Sequence, residues 1–128
     1  FALERYATVI HQTADVSGEP EEGAGVMECV QAMFPGGSIT GAPKIRAMQV
    51  IDSLERGERG VYTGSIGYMD CTGRSDFNIA IRTIRVADGR FSFQVGGGIV
   101  WDSDPESEYE ETLLKAKAMM RAIGVADV

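Results

Sequence analysis

Apolar positions along the chain repeat in two different rhythms, and the places where the rhythm changes predict its elements. From Arg5 to Val16 the residues are rich in β-formers, and Ser17-Gly18-Glu19-Pro20 closes the run with turn chemistry, which predicts a strand. Between Glu22 and Phe34 the side chains of Val26, Met27, Val30 and Met33 fall at helical spacing until Pro35-Gly36-Gly37-Ser38 breaks it. A second helix is predicted from about Ala42 to Glu55, with Ile45, Met48, Ile51 and Leu54 on one face and Gly57 beyond its end. From Val61 the period shortens to two. Val61 to Asp70 and Phe77 to Val86 are predicted strands joined through Cys71-Thr72-Gly73, and Asp88-Gly89 turns the chain into a third, Arg90 to Val95. Ser103-Asp104-Pro105-Glu106 then reads as a helix start, with Ser103 as cap, and the last helix extends to about Ile123 before Gly124 stops it. The predicted fold class is α+β, an antiparallel sheet with helices packed on one side, in one domain over residues 1–128.

Composition narrows the possible roles. A chain of 128 residues with 44% hydrophobic content suits a single buried core, and no apolar run approaches the roughly 20 residues of a membrane-spanning helix. A formal charge of -7, from 19 acidic and 12 basic residues, disfavours nucleic acid as a partner and points to small molecules or proteins. Cys29 and Cys71 are far apart and match neither a disulfide framework nor a zinc motif, as expected of a protein of the reducing cytoplasm. The chain opens at Phe1 without an initiator methionine, so it is expected to be cut from something longer.

Six features could carry chemistry, and each has a plain structural alternative. The glycine-rich stretch Gly36 to Lys44 leads into a helix with proline in its first turn, where free backbone N–H groups and the helix dipole favour anions. It lacks the Gly-Lys-Ser/Thr of a phosphate loop, and a simple capped helix after a turn has the same pattern. The run Gly96-Gly97-Gly98 costs backbone entropy, which calls for either close approach of a ligand or a bulge or strand crossing. Glu108, Glu111 and Lys115 share one face of the last helix. Two carboxylates a turn apart suit Mg2+, and a solvated acidic first turn with a Glu111–Lys115 pair is the alternative. Arg82, in an otherwise apolar strand on the face of Asn78, Ala80 and Ile84, could clamp a carboxylate or form a structural ion pair. On the neighbouring strand Tyr68 could offer its hydroxyl to the same anion or serve as a cross-strand packing residue. His11, the only histidine, fits a hydrogen-bonded core role or general acid–base work.

Taken in order, Phe34 to Met48 with its Phe-Pro-Gly-Gly-Ser-Ile-Thr-Gly-Ala-Pro-Lys run, Gly64 to Tyr68, Ile79 to Ile84, Gly96 to Val100, Asp102-Ser103 and Glu108 to Lys115 resemble the chorismate-binding enzymes. That family includes the large subunits of aminodeoxychorismate synthase and anthranilate synthase and the isochorismate and salicylate synthases. The resemblance implies the C-terminal part of an anthranilate-synthase-like fold. It implies Mg2+ held by Glu108 and Glu111, and a chorismate enolpyruvyl carboxylate held by Tyr68 and Arg82. It also implies an anion cradle from the amides of Thr40-Gly41-Ala42 and Gly96-Gly97-Gly98, with Lys115 adding positive charge and His11 near the reacting ring. Ala14 stands where the family often shows a serine after that histidine. The family's length places further acidic ligands, and the lysine that some members use as a nucleophile, upstream, so the chain alone is expected to be inactive. Thr40 before Gly-Ala-Pro is most similar to aminodeoxychorismate synthase, with anthranilate synthase as the alternative and a non-catalytic truncated module as another. A glutamine amidotransferase subunit supplying ammonia is the implied partner.

Overall fold

A computed structural model describes residues 1–7 and 9–125. The chain divides into two compact units, Phe1–Met33 and a second from Phe34 onward, both built from small antiparallel hairpins and helices, a mixed α+β composition. In the first unit the predicted single strand is a hairpin of β1 (Ala2–Arg5) and β2 (Ile10–Thr13), paired from Ala2↔Thr13 to Arg5↔Ile10. Its turn is closed where Tyr6 N donates to Val9 O at 2.9 Å. Helix α1 (Val26–Met33) follows, within the range its apolar spacing predicts.

In the second unit the glycine-rich stretch contains a one-turn helix, α2 (Gly37–Thr40), which the sequence pattern does not foresee. Helix α3 (Lys44–Leu54) starts two residues later than predicted, since Pro43 takes the extended conformation of an N-cap and first enforces the chain direction there. Its expected apolar face is largely uncovered, with Ile45 at 76% and Leu54 at 74% exposure. Strands β3 (Ser65–Met69) and β4 (Ser75–Ile79) form one hairpin, and β5 (Arg85–Ala87) and β6 (Arg90–Ser92) form another. The three-stranded sheet expected from the sequence is therefore two separate two-stranded ribbons in this unit.

The separation has a local cause. Thr63 and Arg82 sit at φ 63° and 52°, in the left-handed region, so neither chain can continue an extended ladder past them. The last pairings run through Ala80, whose N–H donates to Gly64 O and whose carbonyl accepts from Thr63 N, both at 2.9 Å. One residue later Ile81 N turns back onto Ile79 O at 2.8 Å. Consequently Arg82 does not share a strand face with Asn78, Ala80 and Ile84. By contrast the Asp88-Gly89 turn forms as the sequence predicts, with both residues at positive φ, the geometry a two-residue hairpin loop requires.

Helix α4 (Pro105–Ala122) ends where predicted, with Gly124 at φ 79° beyond it. Its cap is Asp104 rather than Ser103. Proline at the first helical position forces the preceding residue into an extended conformation, so the non-helical cap position falls on Asp104, whose carboxylate accepts from Ser107 N at 2.9 Å. Among the described residues only Ala80, Ala116 and Met119 are buried; two of them lie on α4 and the third at the end of the β3–β4 hairpin.

Candidate functional site

The second unit brings α4, the triglycine segment and Arg82 together around one cavity of about 330 Å3. That volume lies at the small end of the range for small-molecule pockets, roughly 300–1,000 Å3. Arg82, Lys115, Gly96, Gly97 and Gly98 line it, with Ser38 and Ile39 of α2 and Tyr62 among the other wall residues.

Lys115 ties the helix to the glycines. Its ammonium donates to Gly96 O at 3.2 Å and pairs with the Glu111 carboxylate one turn back. Arg82 reaches the same helix from the other side, donating from Nη1 to Lys115 O at 3.3 Å. Its partner is thus a backbone carbonyl, which replaces the acidic side chain that a structural ion pair would need. A guanidinium carries five donors, so this contact leaves others for an anion in the cavity.

The triglycine segment is explained by close approach. A Cβ built on Gly97 would stand 3.0 Å from Glu108 Oε2 and 4.0 Å from Lys115 Nζ, and one on Gly96 would stand 2.8 Å from the Tyr62 hydroxyl. Side chains press directly on this backbone at Gly96 and Gly97, so close approach rather than a ladder bulge accounts for those two glycines. Gly98 has open space where its side chain would be.

Glu108 has the most unusual surroundings. Oε1 accepts from the Ser103 hydroxyl at 2.5 Å, and that hydroxyl in turn accepts from Val100 N at 3.0 Å. Ser103, expected as a helix cap, instead fixes this carboxylate. Oε2 is buried and has no hydrogen-bond partner. An unsatisfied buried polar atom costs about 1–3 kcal/mol, more when charged, so its retention asks for a reason. A hard cation satisfies such an oxygen, and two carboxylates with the remaining positions left to water and ligand oxygens are a normal protein contribution to Mg2+. Among the described residues no group of three or more His, Cys, Asp or Glu converges; α4 carries Glu106, Glu108, Glu110 and Glu111, and Glu111 pairs with Lys115 and borders a separate hollow with Ser107, Glu110 and Lys117.

Other predicted residues lie elsewhere. The Thr40 amide and hydroxyl both donate to Gly36 O at 3.1 Å, and Gly41 N donates to Gly37 O at 2.8 Å, so these donors are used in closing α2. They are not free for an anion, because the glycine-rich stretch is itself helical. Thr40 lines a second cavity, of about 610 Å3, at the end of α3, and Ala42 is exposed. Tyr68 is exposed on β3 opposite Asp76, three residues along the hairpin from Ser65, or roughly 10 Å at strand rise. His11 is exposed on β2 opposite Glu4, with its ring edge-on to Tyr6 at 5.5 Å, which removes the core role as an account of it.

Sequence reasoning passes over Glu55, Arg59 and Tyr62. Arg59 grips Glu55 with Nε at 2.8 Å and Nη2 at 2.5 Å. This hydrogen bonding holds the Glu55 carboxyl below its usual range and raises the Arg59 guanidinium. The i,i+4 acid–base spacing was the available signal, but Gly57 between them marks the end of the helix and conceals it.

These elements have counterparts in known proteins. A family model described as chorismate binding enzyme matches residues 1–121. The chain belongs to the chorismate-binding enzyme family. It is 50% identical over 125 residues to anthranilate synthase component 1 of Aquifex aeolicus, covering 98% of this chain and 25% of that protein. It is 45% identical over 126 residues to aminodeoxychorismate synthase component 1 of Bacillus subtilis, covering 98% of this chain and 27% of the relative. Aminodeoxychorismate synthase of Streptomyces griseus matches at 48% over 126 residues, 17% of its length. The chain therefore spans about a quarter or less of the length of these curated relatives.

Proposed function

We propose that this chain supplies the C-terminal part of a chorismate-using synthase that aminates chorismate to 4-amino-4-deoxychorismate. The observation that carries the reading is the meeting at Gly97 of a buried, unpartnered Glu108 oxygen and the Lys115 ammonium. A ligand with both a metal-seeking carboxylate and a second anionic group, as chorismate has, meets complementary chemistry there.

Each residue then has a task. Lys115 and Arg82 hold carboxylate oxygens in the cavity, and the close-set backbone of Gly96 and Gly97 lets the ligand lie against α4. Glu108 and Glu111 would hold Mg2+, with Ser103 fixing the Glu108 carboxylate through its other oxygen. When bound, the ion supplies Lewis-acid polarisation of the substrate carboxylate. In this structure the Glu111 carboxylate is paired with the Lys115 ammonium, so Glu111 would hold the ion only after leaving that pair. His11 is assigned to proton transfer near the ring and Tyr68 to the enolpyruvyl carboxylate, on the family resemblance. Ammonia comes from a glutamine amidotransferase subunit.

A second reading, formation of anthranilate, is supported by relatives of that name at 46–50% identity. Incubating the full-length polypeptide with chorismate, Mg2+ and ammonium, and identifying the product by chromatography and mass spectrometry, separates the two. A 4-amino product retaining its enolpyruvyl group is expected. Anthranilate with pyruvate would move the protein to the second reading, and untouched chorismate would overturn both.

A further inference from the structure

Arg59 stands outside the residues assigned above, yet its contacts lead to both sides of the cavity. Nε and Nη2 are committed to Glu55, which leaves Nη1 to donate to Thr63 Oγ1 at 3.2 Å. Thr63 is a β-branched residue at φ 63°, an unfavourable conformation for such a side chain that persists only where the surroundings hold it. Its hydroxyl also donates to Tyr62 O at 2.6 Å, so the group that accepts from Arg59 fixes the local peptide as well.

Two paths run from this corner. Along one, Thr63 N donates to Ala80 O, and Ala80, wholly buried, stands two residues before Arg82, itself left-handed and bonded to α4. Along the other, Tyr62 lies with its ring 6.0 Å from the Arg59 guanidinium carbon and its hydroxyl against Gly96, the residue whose carbonyl accepts from Lys115. The Glu55–Arg59 pair, Tyr62 and Thr63 also line both the 330 Å3 cavity and its 610 Å3 neighbour, so they form the wall between them.

We propose that Arg59 is a positioning residue, which by holding the Tyr62–Thr63 corner sets Arg82 and the Gly96–Gly97 backbone at the spacing the chorismate carboxylates require. This rests on the reading of that cavity as the chorismate site. Lysine is not an equivalent at position 59: an ammonium lacks the planar fork that serves Glu55 with two nitrogens while a third reaches Thr63. Glu55 acts only as the anchor that orients the fork.

The test uses the full-length polypeptide, with chorismate affinity measured by calorimetry alongside kcat, KM and melting temperature. For Arg59→Lys, chorismate Kd and KM rise about tenfold while kcat stays within about threefold, since misplacement of a binding group by a fraction of an ångström has effects of this order. Thr63→Val keeps the β-branched shape and removes only the hydroxyl; it weakens binding in the same direction, Thr63→Ser restores it, and the Arg59→Lys/Thr63→Val double variant is no worse than Arg59→Lys alone. If Arg59→Lys does not fold, the Thr63 pair carries the test unaided. A lowered melting temperature with unchanged Kd and KM, or additive losses in the double variant, would overturn the proposal. Should the wild-type protein bind no chorismate, the reading of the cavity falls and this inference with it; should it bind and the variants bind equally well, only the inference falls.

Discussion

The two ends of the β3–β4 hairpin solve opposite problems. At the turn, Asp70 Oδ1 accepts from Thr72 N at 2.8 Å, Thr72 Oγ1 at 2.7 Å and Arg74 N at 3.0 Å, and the positive φ of 86° falls on Gly73. Every demand of that turn is met within five residues, by residue types that suit it. At the other end the left-handed positions fall on Thr63 and Arg82, and the contacts that hold them come from Arg59 and from Lys115 on α4. Thr63 is held from four residues away and Arg82 from 33, and strained backbone held by side-chain contacts of this kind clusters at functional sites. The cavity, both candidate cations and the close-packed glycines are found at this end.

The comparison predicts that changes at the cavity end act on ligand affinity and changes at the turn end act on stability. The largest effect is expected for Glu108→Gln in the full-length polypeptide. On the proposed reading the variant loses the carboxylate charge that would hold Mg2+, and turnover of chorismate falls at least about 100-fold, with the Mg2+ concentration for half-maximal activity raised. Equal Mg2+ requirements in variant and wild type would break the assignment. A smaller effect is expected for Gly96→Ala, because the clashing atom is the end of the Tyr62 side chain, which can swing away. Chorismate KM rises about threefold to tenfold, and the added Tyr62→Phe change, which removes the clashing hydroxyl, recovers most of the loss. No recovery would mean that Tyr62 does not border Gly96.

The smallest functional effect is expected at Asp70. Hydrogen bonds from the Thr72 hydroxyl and then the Arg74 amide hold its carboxyl below the usual aspartate range. A carboxyl depressed on folding adds stability that is complete above its unfolded pKa and disappears as pH falls through the folded value. Asp70→Ala therefore lowers the melting temperature at neutral pH, the gap to wild type narrows on acidification below the ordinary aspartate range, and chorismate affinity is unchanged at neutral pH. Thermal scans across pH, paired with calorimetry, check both halves.

The same contrast explains what the sequence could reveal. Turns made by neighbours were legible: Asp88-Gly89 and the Gly124 stop form as predicted, and α3 and α4 lie within two residues of their expected ranges. Other features were not. Ile79 to Ile84 reads as an apolar strand, and nothing in its alternation announces that Arg82 turns left-handed and donates to Lys115 O on α4. Ser103 satisfied every local rule for a cap, and Pro105 moved the cap by one residue, releasing Ser103 to bind Glu108. The glycine-rich stretch before α3 looked like an open anion cradle, but its amides close α2 instead. Of the candidate site, the triglycine segment, Arg82, Glu108 and Lys115 were legible as residues, while their meeting at Gly97 and Gly96 was visible only in three dimensions.

The most direct measurement of the account is calorimetric titration of chorismate, with and without Mg2+, into the full-length polypeptide and its Gly97→Ala variant. A methyl group at this position would stand 3.0 Å from the buried Glu108 oxygen and 4.0 Å from the Lys115 ammonium, in the space the proposed function assigns to metal and ligand. The account predicts Mg2+-enhanced binding by the wild type and a loss of affinity of about tenfold or more in the variant, with little change in melting temperature. Equal affinities for the two proteins, with the same response to Mg2+, would contradict it.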